Sequence, residues 1–117
     1  MAISEYATGT RTAGTPPEAS FTALGSATST DDGIYQVFID VAAMTGGATP
    51  DTLEIQITEK VTSGGTERLI LEAVLAGVQD EPVWVSPSLI LMHGWSVSLK
   101  QTTGTARSFP WSIRRVA

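Results

Sequence analysis

The amino-acid sequence predicts an all-β fold: an antiparallel β-sandwich of jelly-roll type, with about seven or eight strands and an extended N-terminal arm. Three observations predict it. Apolar residues recur at every second position, the period that sends one set of side chains inward and the other outward on a strand. Glycine, proline and acidic turn signals separate these runs at roughly 10 to 20 residue intervals, which suits antiparallel neighbours. At 117 residues the chain has the size of one domain with one core. An open barrel is the alternative closure of the same strands.

The elements follow in order. Residues 1–18 include Ala7-Thr8-Gly9-Thr10-Arg11-Thr12-Ala13-Gly14-Thr15-Pro16-Pro17, which is small, polar and turn-rich. The segment is expected to be an arm lying along a neighbouring subunit, with Ile3 and Tyr6 as its apolar anchors, while residues 19–117 form the domain. A weak strand is expected within 19–28, followed by a turn at Asp31-Asp32-Gly33. Tyr35, Val37, Ile39 and Val41 then alternate with more polar positions, as do Leu53, Ile55 and Ile57 after the loop Gly46-Gly47-Ala48-Thr49-Pro50.

Ser63-Gly64-Gly65 reads as a hairpin connection. The segment Thr66 to Val78 after it is rich in helix formers. The preceding Gly-Gly favours a strand, with Leu69, Leu71, Ala73 and Leu75 on one face. A second weak strand is expected over 83–92. Trp95, Val97 and Leu99 alternate next, then Phe109, Trp111 and Ile113 beyond a turn at Thr103-Gly104-Thr105. Pro110 places this last strand at a sheet edge, because proline cannot donate to a ladder. Trp95 and Trp111 fall on the buried phase, and Trp84, between Pro82 and Pro87, is expected to be exposed.

Little in the sequence points to catalysis, and the chain is expected not to be an enzyme. Without cysteine it forms no disulfide and no thiolate site. With His93 as the only histidine, neither a multi-histidine metal site nor a His-Cys pair can be built within one chain. Asp31-Asp32 and Asp80-Glu81 are acidic pairs in turns without EF-hand spacing. No metal or cofactor is expected. Gly64-Gly65 lacks the later Gly-Lys of a phosphate loop. Met1-Ala2-Ile3-Ser4-Glu5-Tyr6 has no basic start followed by an apolar run, so no secretory signal is expected. The apolar stretch around Leu69 to Val78 is broken by Glu72 and falls short of the roughly 20 residues of a membrane span.

Charge is segregated along the chain. All 12 acidic residues lie at or before Glu81 with only Arg11, Lys60 and Arg68 among them, and the remainder carries Lys100, Arg107, Arg114 and Arg115. The pattern suggests a molecule with one acidic and one basic region, suited to docking on a copy of itself or on another protein. The formal net charge of −5 makes nucleic acid a poor partner. Residues expected at contacts are Ile3, Tyr6 and Arg11 on the arm, Trp84, His93, and the basic Arg107, Arg114 and Arg115.

Three runs carry a resemblance. Gly33-Ile34-Tyr35-Gln36-Val37-Phe38-Ile39-Asp40, then Leu53-Glu54-Ile55-Gln56-Ile57-Thr58-Glu59-Lys60-Val61 with Ser63-Gly64-Gly65-Thr66-Glu67-Arg68, and the closing stretch Leu99 to Arg114 resemble small virion structural proteins of tailed bacteriophages. The resemblance covers about residues 33 to 114 and supplies no catalytic residues. It implies a particle component. The type expected is a capsid decoration or cement protein on the head exterior, a homo-oligomer made in the host cytoplasm that binds the major capsid protein or copies of itself. The alternative is a tail- or fibre-associated adsorption module that binds a host glycan.

Overall fold

The computed structural model describes residues 3–25 and 28–116. Positions 1 and 2 of the expected arm, and 26 and 27 of the expected strand over 19–28, lie outside the described residues. Among the described residues the chain is all-β, with nine strands: β1 (Ser4–Thr12), β2 (Thr22–Ala23), β3 (Gly33–Asp40), β4 (Thr52–Lys60), β5 (Glu67–Ala76), β6 (Val83–Val85), β7 (Leu89–Leu91), β8 (Ser96–Thr103) and β9 (Ser108–Arg115). They form two antiparallel sheets. One runs β1-β9-β3, with β6 and β7 both on the far side of β3, and the other runs β2-β8-β4-β5.

Period two accounts for the buried set. Tyr35, Val37 and Ile39 of β3, Leu53, Ile55 and Ile57 of β4, Val97 and Leu99 of β8, and Phe109, Trp111 and Ile113 of β9 all enter one apolar cluster drawn from both sheets. Residues between them on β3 and β4 are only partly covered. Burying a side chain of this size contributes about 1.5–3 kcal/mol, so these four strands supply the larger share of the hydrophobic stabilisation. Trp95 and Trp111 are buried as expected.

The ladders join the end of the chain to its beginning. β9 pairs with β1 and β8 with β2. β6 and β7 pair with β3, and β5 with β4. The chain is thus one long antiparallel hairpin whose tip is the turn between β4 and β5, where the Gly65 N–H donates to the Thr62 carbonyl at 2.9 Å. Successive ladders of that hairpin go to alternate sheets, and β9–β3 and β8–β4 contacts complete each sheet.

Several expectations change here. Residues 4–12 pair with β9 of their own chain rather than with a neighbour. Thr8, Thr10 and Thr12 face out, Gly9 and Arg11 face in, and the small inward residues make room for Trp111. β9 is therefore an interior strand. Pro110 is tolerated because the β3 ladder covers Trp111 to Arg115 and stops short of it. Within Thr66 to Val78 the strand β5 covers Glu67–Ala76, but Leu69 does not share the face of Leu71, Ala73 and Leu75. One extra residue on β5 between the pairs Ile57↔Leu71 and Thr58↔Leu69 makes a bulge that turns Leu69 outward, 48% exposed.

Residues 83–92 hold two short strands instead of one. Between them Ser86 Oγ accepts from the Val37 N–H at 2.9 Å and donates to the Pro87 carbonyl at 2.8 Å, so a side-chain oxygen stands in for the carbonyl acceptor that a continuous ladder would offer Val37. Trp84, expected to be exposed, is half-buried against the core, because its Cα partner on β3 is the inward-facing Ile39.

Candidate functional site

Three loops converge at one end of the two sheets: residues 28–32 before β3, residues 60–63 at the end of β4, and the turn Met92-His93-Gly94 before β8. The segment 28–32 is extended, so its side chains alternate between two cavities. Ser29 and Asp31 face a cleft of about 480 Å³ that reaches the core beside Tyr6, Leu24, Trp95 and Ile113. Thr28, Thr30 and Asp32 face a groove of about 510 Å³ whose other bank is Lys60, Ser63, Met92, His93 and Gly94. One stretch of backbone is the wall of both.

Interactions on the cleft side hold that wall in place. Tyr6, Tyr35 and Trp95 pack with ring centroids 4.6 to 5.6 Å apart. Their polar tips all address the same segment. The Asp31 carbonyl accepts from Tyr35 Oη and Trp95 Nε1, each at 2.9 Å. Tyr6 Oη donates to Asp31 Oδ2 at 2.5 Å and lies 2.7 Å from Ser29 Oγ. Backbone bonds of 2.8 Å run both ways between Ser29 and Trp95. Burial and then the Asp31 carboxylate raise the Tyr6 hydroxyl above its usual pKa, and burial raises that of Tyr35, so both phenols stay protonated and donate.

The opposite bank is fixed with similar economy. Glu59 Oε2 accepts from the backbone N–H groups of Met92 at 2.6 Å and His93 at 2.9 Å. The Lys60 N–H donates to the His93 carbonyl at 2.9 Å. The Lys60 side chain lies along Gly94, where an added Cβ would stand 3.6 Å from Lys60 Cε. Two ion pairs are present among the described residues, Arg11–Glu18 and Arg107–Asp51, and Lys60 is in neither.

Both ion pairs anchor loops. Arg11, 9% exposed, meets Glu18 at 2.6 Å. Glu18 also accepts from the N–H groups of Gln101 and Gly14. Burial opposes its charge, but these donors outweigh it and hold the carboxyl below the usual range. Asp51, 1% exposed, accepts from Thr45 N, Thr105 N and Arg107 Nε at 2.8 to 2.9 Å. Its carboxyl is likewise held low, against the effect of burial, by those two amides and then by Arg107.

The residues expected at contacts are dispersed. Ile3 stands exposed ahead of β1, and Tyr6 is in the aromatic cluster. Arg11 and Arg107 serve the internal ion pairs, and Trp84 lies on β6. His93 borders the groove. Arg114 stacks 3.8 Å above the Phe38 ring. Arg115 donates to the Asp32 carbonyl at 2.7 Å. The structure brings His93 together with Thr28, Thr30, Lys60 and Ser63, none of which the sequence singles out.

Three of the four late cations of the expected basic region have early acidic residues as neighbours. Lys100 faces Glu54 across the β4–β8 ladder, and Arg114 faces Glu5 across β1–β9. Arg107 pairs with Asp51. Among the described residues no group of three or more His, Asp or Glu side chains stands close enough to hold a metal ion, and no helix is long and apolar enough to cross a membrane. Comparison of the chain with protein-family models, curated proteins and solved structures gives no match.

Proposed function

We propose that the chain is a structural subunit of a tailed-phage particle, a decoration or cement protein that docks on the major capsid protein of the head shell and packs with copies of itself. Within this reading the two sheets form a sandwich of the jelly-roll type. The rolled-hairpin ladders, first strand with last and second with next to last, support that topology, as does the shared apolar cluster. The resemblance over residues 33 to 114 supplies the virion context.

The observation that carries the docking role is an exposed apolar row on the outer side of β3. Val83, Val85 and Ile90 are 42%, 44% and 79% exposed and lie across the ladder from Asp40, Phe38 and Ile34. Arg114 covers the Phe38 ring at the margin. Gln36, whose side chain donates to the Ser86 carbonyl, stands between the two ends of this set, and exposed apolar side chains grouped beside polar ones mark protein contacts more often than bare solvent-facing surface does.

Mixing the purified chain with heads that lack it, then sedimenting, tests the reading. The wild type should co-sediment and raise the heads' resistance to heat. Val85→Asp combined with Ile90→Asp should stay folded by circular dichroism and remain in the supernatant. A wild type that ignores heads, or a double variant that binds them equally well, refutes the proposal.

A further inference from the structure

We propose that the groove between residues 28–32 and the Met92-His93-Gly94 turn binds an acidic saccharide, with the carboxylate at Lys60 and the ring hydroxyls along Thr28, Thr30, Ser63 and Asp32. The inference stands apart from the shell-docking reading, since it uses none of Val83, Val85 or Phe38.

The groove has the size of a small-ligand site, about 510 Å³. It is also fixed in shape before any ligand arrives. One bank is held by the aromatic cluster and the Ser29–Trp95 backbone bonds, the other by Glu59 on two backbone N–H groups and by the Lys60–His93 bond. Little ordering is then required on binding, and that is where weak polar ligands otherwise lose affinity.

The lining selects the ligand class. Three hydroxyl groups and a carboxylate, offered from both banks, can donate to and accept from a polyhydroxylated ring. Met92, 46% exposed, supplies an apolar surface beside them. Lys60 is a cation outside both ion pairs, with its stem laid against Gly94 at the groove. A bare phosphate is less well served. Phosphates are held by successive backbone N–H groups, and the two such groups at this turn, on Met92 and His93, are already taken by Glu59. The surplus of side-chain hydroxyls over free amides therefore favours a sugar acid.

The test is an NMR titration of the isotope-labelled full chain with methyl glucuronide, methyl glucoside and inorganic phosphate as separate probes. Glucuronide should shift the amides of Thr28, Thr30, Ser63 and Gly94, and bind more tightly than glucoside. Lys60→Met, which keeps the apolar stem, should weaken glucuronide by about tenfold or more and leave glucoside unchanged. Lys100→Met, on the outer face of β8, should change neither. Absence of shifts with all three probes overturns the proposal. So does phosphate that binds as well as glucuronide at the same amides, or a Lys60→Met variant that binds glucuronide like the wild type.

Discussion

Replacing Gly104 with alanine should be among the most damaging single-methyl additions to this chain. Gly104 sits at φ +89°, in a region that a side chain disfavours. A Cβ there would stand 2.0 Å from Asp51 Oδ1 and 2.7 Å from Asp51 Cα. Backbone that close cannot yield as a flexible side chain would. The left-handed conformation costs an alanine about 1–2 kcal/mol, and forcing Asp51 aside adds about 1–3 kcal/mol of overpacking. Weakening the bonds from Thr45 N, Thr105 N and Arg107 Nε adds about 1 kcal/mol more. The expected loss is about 3–6 kcal/mol, measured by denaturant unfolding of wild type and Gly104→Ala side by side. A variant within about 1 kcal/mol of wild type would refute the claim that the β8–β9 turn is built around the Asp51 carboxylate.

Acid should destabilise the fold through Glu18 and Asp51. Both carboxyls are held below their ordinary values of 4.5 and 3.8, so their contribution is complete above those values and is lost as pH falls through the lower folded values. Melting temperature should be flat from neutral pH to about 5 and then decline, with Asp51→Asn showing a lower plateau and a shallower decline. Deleting residues 2–12 should lower the stability of the isolated chain rather than release a passive arm, because it removes β1, the Tyr6 contacts and Arg11; a truncated chain that melts like the full one would contradict the β1–β9 ladder. Arg11→Met should cost about 1–3 kcal/mol, since Glu18 loses its cation but keeps the Gly14 and Gln101 N–H donors while two unpartnered Arg11 nitrogens are removed, and an unchanged denaturation midpoint would contradict that. A chelator should leave the melting temperature unchanged; a fall reversed by calcium would assign a cation to Asp31-Asp32 or Asp80-Glu81.

Strands whose inward positions are large and apolar were legible in the sequence. Tyr35 to Ile39, Leu53 to Ile57 and Phe109 to Ile113 announce themselves because burial and period coincide. β1 obeys the same period with Gly9 and Arg11 inside, followed by the buried Ala13 just past its end, a set that hydrophobicity does not flag. The available signal was threonine at alternate positions 8, 10 and 12, β-branched residues on the outer phase. Leu69 falls off the face that alternation predicts because a one-residue bulge reverses phase without altering composition. The groove was illegible for another reason. Its residues come from three loops far apart in sequence, and only the return of the hairpin onto itself places Thr28, Ser63 and His93 together.

That return also explains the fate of the charges. A chain with its acids early and its bases late would carry two poles if early and late segments packed apart. Here each late strand lies against an early one, so late cations are set beside early acids. Lys100 has Glu54 and Arg114 has Glu5 as its Cα partner across a ladder, although their cationic groups lie over the Phe21 and Phe38 rings, and Arg107 pairs with Asp51 between two turns. Opposite charges placed across a ladder favour that register by a few tenths of a kcal/mol. In the proposed reading, docking falls to the exposed apolar side chains Val83, Val85 and Ile90, and ligand recognition to Lys60, which is in neither ion pair and lines a groove.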